Sequence, residues 1–200
     1  MSAFSRSRRR RGRIAQAGFS LVEMMIVTAV IGVITGIAVV SISTSRQGLK
    51  GDGAMRVVLA QMNQAKELAI TQRRNMRLTF TAGNSVQIVR EEVPGPTLTT
   101  ISSVPFEGGL QFLKIASLGN TPEGSTVATG GDSAIGFGAT TTQIRFAPDG
   151  TLVDQDGLTL NGTVFVALPN ETLSARAVAI FGSTGRVRAY RWDGRNWKVV

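Results

Sequence analysis

The sequence has 200 residues, 42% apolar and 18% charged, with no cysteine, no histidine and a formal net charge of +9. Without those two residue types it can build no Ser-His-Asp or Cys-His catalytic machinery, no tetrahedral His/Cys zinc site and no disulfide. The length suits one modest globular domain with a further segment attached.

The charge is strongly segregated. Residues 1–18 hold Arg6, Arg8, Arg9, Arg10, Arg11 and Arg13 and no acid. From Arg176 onward there are six cations against Asp193 alone, so two basic poles flank a slightly acidic middle.

Behind the basic leader, Phe19 to Val40 form an apolar run of twenty-two residues whose only charge is Glu23. As a helix, that run is long enough to span a bilayer. Arginines before it and sparse cations after it place its N-terminus in the cytoplasm and the rest of the chain outside. A cleaved secretory signal would have a shorter apolar region, and the small triplet Ala15-Gln16-Ala17 stands before the run instead of after it. Glu23 is the unusual residue. An acid in an apolar span costs on the order of a few kcal/mol, so it either marks a function or lies close enough to the interface to reach headgroups.

The Arg-rich leader, the segment Gly18-Phe19-Ser20-Leu21-Val22-Glu23-Met24-Met25 and the apolar stretch after it closely resemble the type IV prepilin signal. The resemblance covers about the first 45 residues. It implies that a prepilin peptidase of the inner membrane cuts between Gly18 and Phe19, that the new amine of Phe19 is N-methylated, and that Glu23 serves assembly with other pilins. Glycine at the cut lets an extended chain approach the peptidase closely. Pairing Glu23 with the amine of Phe19, on its own chain or a neighbouring subunit, would turn a costly buried charge into a register device. Many pilins have a kinking proline where this chain has Val40, which leaves Gly32 and Gly36 as the weak points of the span.

After an interruption expected at Gly48, Gly51 and Gly53, with Asp52 as N-cap, helical spacing resumes. Met55, Val58, Leu59, Met62, Ala65 and Ala69 form one apolar stripe, read as core and not as a ligand site. From Met76 the period becomes two. Leu78 and Phe80 alternate with polar residues, and Gly83-Asn84 turns the chain into Val86 and Ile88, a hairpin. Further strands are expected over 97–104, 110–115, 143–146, 163–168, 176–181, 186–192 and 197–199, with 119–132 poorly ordered. The fold class is α+β. A leader (1–18) precedes a transmembrane and assembly helix (19–45), an amphipathic helix (46–75) and a mainly antiparallel β-domain (76–200) ending in a basic hairpin.

This layout, with Ile144-Arg145-Phe146-Ala147-Pro148-Asp149-Gly150 and Gly185-Arg186-Val187-Arg188, resembles the GspH/FimT group of minor pilins and pseudopilins. The resemblance implies a non-enzymatic subunit at or near the tip of a type II secretion pseudopilus or a type IV pilus. Many major pilins close a C-terminal disulfide loop, so the absence of cysteine favours a minor subunit. One alternative is a type IV pilus minor pilin that binds DNA through its basic C-terminal strand for natural transformation, and the second is a membrane-anchored periplasmic binding domain that is never processed.

No catalytic constellation, metal site or cofactor motif is read. Asp149, Asp154, Asp156 and Gly157 fail as a calcium loop, because Leu152 and Thr163 stand where the first and last acidic ligands belong. If residues 186–192 are extended, Arg186, Arg188, Tyr190 and Trp192 share one face. With Arg191, Arg195 and Lys198 nearby, they form either a compact DNA-binding patch with rings for stacking or an ordinary solvated strand.

Overall fold

The computed structural model describes residues 19–81, 84–95, 97–122, 133–137 and 143–200, with backbone alone for 40–45 and 143. The expected leader, the turn residues Ala82 and Gly83, and most of the expected disordered stretch lie outside them. The chain divides into two units, Met1–Ser41 and Ile42–Val200.

In the first unit, α1 (Leu21–Gln72) begins. Its stretch Leu21–Val39 has a mean hydropathy of 2.3, and none of it is buried in the protein. By length and composition it can cross a membrane. Thr28 donates its hydroxyl to the carbonyls of Met24 and Met25, and Thr35 donates to Ile31, so these hydroxyls are satisfied within the helix itself. Gly32 and Gly36 do not interrupt it.

In the second unit, α1 continues to Gln72 and is followed by β1 (Met76–Thr81), β2 (Ser85–Glu91), β3 (Leu98–Pro105), β4 (Gln111–Phe112), a 3₁₀ turn (Ala116–Leu118), β5 (Ile135–Phe137), β6 (Gln143–Phe146), β7 (Leu152–Val153), β8 (Gly162–Leu168), β9 (Glu171–Phe181), β10 (Arg186–Trp192) and β11 (Trp197–Val199). Every pairing is antiparallel. The strands form two sheets, β3-β2-β1-β6-β7 and β11-β10-β9-β8-β4, with β5 also on β8.

One core fills the space beneath the helix. Met55, Val58, Met62, Ala65 and Ala69 pack with Leu78, Phe80 and Ile144 of the first sheet and Val164, Val166, Val178 and Ile180 of the second. The stripe is therefore core, as its spacing predicts. The interruption expected at Gly48, Gly51 and Gly53 does not occur, and Asp52 is a residue of the helix interior, not a cap. Close packing is the reason at Gly51 alone, since a Cβ at Gly48 would meet only the Arg176 side chain at 3.7 Å. A Cβ at Gly51 would collide with the Ser174 carbonyl of β9, and Gly48 offers its own carbonyl to Arg176. Nothing in the structure explains Gly53. The helix ends at Gln72, where Arg73 turns left-handed (φ 50°) and the Arg74 N–H returns to the Ala69 carbonyl, a Schellman closure.

The strand expected over 110–115 shrinks to Gln111–Phe112, because the chain then leaves for the 3₁₀ turn. Two short strands, β5 and β7, were not legible in the sequence.

Candidate functional site

The N-terminal segment begins the described chain. Phe19 is exposed, and the carbonyl of Ser20 accepts the Met24 N–H at 3.1 Å, which makes Ser20 the N-cap of α1. Glu23, in the first turn, is then at the third helical position. Ser-x-x-Glu before an apolar run has the spacing of a capping box. Glu23 is thus suited to the positive end of the helix dipole as well as to a positive amine. Gly18 lies outside the described residues.

The C-terminal cations do not make one patch. In β10, Val187 and Ala189 face the main core, and Arg191, of the same parity, lies opposite Arg176. Lys198 pairs in register with Arg191 and so shares that face. Arg186 and Arg188 lie on the other face, while Arg195 sits in the turn between β10 and β11. Lys198 is held 2.7 Å from Asp193. That ion pair, with the N–H groups of Asn196 and Arg195, holds the Asp193 carboxyl well below the usual range.

The rings expected for stacking are packed instead. Tyr190 is fully buried with Phe165, Ala177 and Ala179. Trp197 meets Phe165 and Trp192 edge-on and donates its indole N–H to the Leu118 carbonyl. Arg188 lies 6.0 Å from the Phe181 ring. The face is thus an aromatic cluster that closes the outer side of the sheet.

Sequence reasoning missed a second cationic site on the first sheet. Arg77 of β1 and Arg145 of β6 stand directly opposite each other, an unfavourable pairing of like charges. One oxygen of Glu91 resolves it, accepting Arg77 at 2.6 Å and Arg145 at 3.2 Å, while its other oxygen accepts from Asn75. Beside it, Arg90 pairs with Glu92 at 2.6 Å. A cleft of about 740 Å³ opens here, lined by Arg73, Arg74, Arg77, Glu91 and Glu92 among others. Burial pushes the Glu91 carboxyl up, but the hydrogen bond from Arg77 and the charge of Arg145 outweigh it, so the group titrates below its ordinary value. A depressed carboxyl stabilises the fold above its unfolded pKa, and that contribution is lost as pH falls through the folded value. Thermal melts from pH 6 to pH 3 should therefore show a loss of stability that is smaller in Glu91→Gln, the variant being about 1 kcal/mol weaker at neutral pH. A parallel pH profile for both proteins would refute the account.

Asp149 and Asp154 act as turn residues. Asp149 accepts from the N–H and hydroxyl of Thr151, and Asp154 from the N–H groups of Asp156 and Leu158. Among the described residues, no group of three potential metal ligands is found.

An apolar helix preceded by this glycine and glutamate pattern defines a prepilin-like N-terminus. Residues 13–39 match the family described as the prokaryotic N-terminal methylation motif. No curated protein matches the chain. Among solved structures, the chain is similar to the type IV minor pilin FimU of Pseudomonas aeruginosa in two crystal forms. In the first the identity is 15% and the TM-score 0.48, covering 74% of this chain and 91% of that one. In the second the identity is 15% and the TM-score 0.45, covering 69% and 90%.

Proposed function

We propose that the chain is a non-enzymatic minor pilin or pseudopilin of the GspH/FimT type. A prepilin peptidase cleaves it between Gly18 and Phe19, the Phe19 amine is methylated, and the subunit assembles with other pilins at or near the tip of a type IV pilus or type II secretion pseudopilus. Before assembly it is a single-pass protein of the bacterial inner membrane, with its C-terminal unit in the periplasm. The observation that carries this reading is the methylation motif over residues 13–39, which includes Gly18, Phe19 and Glu23 and runs into the exposed apolar helix.

Intact mass and N-terminal sequencing of the membrane-extracted protein test it. The expected chain starts at methylated Phe19. A chain starting at Met1 would support the unprocessed anchored domain instead, and one starting past the apolar run would indicate a secretory signal. The reading in which the C-terminal strand alone binds DNA loses its main support, because Arg186 and Arg188 are separated by the sheet from Arg191 and Lys198.

A further inference from the structure

The sheet edges differ in how they are guarded. β4, β5, β7 and β11 are two or three residues long, and β11 carries Lys198. β3 has eight residues, no charge and, among the described residues, no strand on its outer side. Such an edge offers a row of backbone donors and acceptors to another strand. Its apolar side chains are open as well, Leu98 being 50% and Ile101 38% exposed.

Two hydrogen bonds fix which residues of β3 face outward. The Phe106 N–H donates to the Asn84 carbonyl at 2.8 Å, and the Glu92 N–H donates to the Thr97 carbonyl at 2.9 Å. The backbone therefore turns toward β2 at Val104 and Ser102, counted from one end, and at Thr97 and Thr99, counted from the other. The extra residue Ile101, where the register slips, joins the two series. Leu98, Thr100, Ser103 and Pro105 are left with their backbone groups on the free side. Pro105, which has no N–H, thus stands where proline costs the ladder nothing. All four also share the face turned from the core, since they lie opposite Glu91, Val89, Gln87 and Ser85 and alternate with the partners of the core residues Val86 and Ile88.

These four positions are symmetric about the bond between Ile101 and Ser102. A two-fold axis there sets the β3 of a second copy antiparallel to the first, with Thr100 opposite Ser103 and Leu98 opposite Pro105. Outward backbone groups then meet outward backbone groups, hydroxyl meets hydroxyl, apolar meets apolar, and no like charges come together. A slip of one residue would set outward groups against inward ones. Self-matching of this kind is what a closed two-fold contact requires, and a strand of another protein would share it only by chance. We infer that two copies of this chain pair edge to edge through β3, joining their first sheets into one antiparallel sheet. The contact is small, so the pair is weak and reversible. The inference is independent of processing and filament assembly, which the mass measurement above tests separately.

The chain contains no cysteine, so a single introduced one reports a single position. Full-length Thr100→Cys and Ser103→Cys proteins are made with tags of different mass, mixed in nonionic detergent and oxidised. The expected product is the mixed disulfide, about fivefold in excess over either self-linked pair, because residue 100 faces residue 103 at bonding distance. Light scattering then follows mass against concentration for the unaltered chain, Ser103→Pro and Thr100→Lys. The first variant removes an outward N–H and no bond to β2, and the second places a charge on the edge of each copy. The unaltered chain should rise to twice its monomer mass, and each variant should pair about tenfold more weakly with its melting temperature unchanged. Thr100→Lys keeps the test decisive if proline disturbs the strand. An unaltered chain that stays monomeric at every concentration overturns the inference. So does pairing that both variants leave unchanged, which would put the contact elsewhere, or self-linked disulfides that form as readily as the mixed one.

Discussion

Asp52→Ala should destabilise the second unit by about 3 kcal/mol, the largest single effect expected of a polar substitution in this protein. Arg176 is 1% exposed and is the bulkiest fully buried side chain among the described residues. Its Nε donates to Asp52 at 2.6 Å, and its terminal nitrogens donate to the carbonyls of Leu173, Ala175 and Gly48 at 2.8 to 2.9 Å. Four acceptors compensate for burying one guanidinium. Removing the only charged one leaves a cation in a low-dielectric site, and that uncompensated charge, more than the lost contact, sets the cost. The glycines beside it give an independent check. Gly51→Ala drives a Cβ into the Ser174 backbone, which has no flexible end to give way, and should cost about 2 kcal/mol or more. Gly53→Ala, two residues on, meets nothing within 4 Å and should stabilise the helix by up to about 1 kcal/mol. Trp192 and Trp197 report unfolding by fluorescence. If the two alanines act with the same sign, the packing of β9 on α1 described here is wrong.

Replacement of Glu23 should nearly abolish incorporation into filaments while leaving the β-sheet unit as stable as before. Two roles compete at this residue. As an acid in the first turn, at capping-box spacing from Ser20, it suits the start of α1, a spacing that glutamine keeps. As a negative charge four residues from the proposed terminus it would neutralise the Phe19 amine, which glutamine would not. Glu23→Ala removes both and Glu23→Gln only the charge, so the proposed assembly role predicts that both variants fail to co-purify with partner pilins. Both should still be processed at Gly18, as mass shows. Normal incorporation of the glutamine variant would reduce Glu23 to a helix cap worth roughly 0.5 to 1 kcal/mol.

The sequence by itself determined the elements whose signal is local. The apolar span of α1 rests on composition, the helix stripe from Met55 to Ala69 on a period near 3.6, and the β1–β2 hairpin on alternation around Asn84, and the structure holds all three. The strands 143–146, 186–192 and 197–199 were legible for the same reason, since each is a short segment of alternating polar and apolar or aromatic residues between turn residues. What the sequence misread depended on partners far along the chain. Gly48 and Gly51 look like a break because helix propensity is intrinsic, yet Gly51 serves the approach of a strand more than a hundred residues away. Alternation in β10 named the residues of each face correctly but not what covers them, so Tyr190 read as an available ring when it is buried, and five cations close in sequence read as one patch when the sheet divides them. The arginine cleft has the opposite history. Arg73, Arg77, Glu91 and Arg145 are scattered through the sequence, and pairing of β1 with β2 and β6 brings them onto one surface. Charge acts through distance in space, and only the tertiary structure fixes that distance.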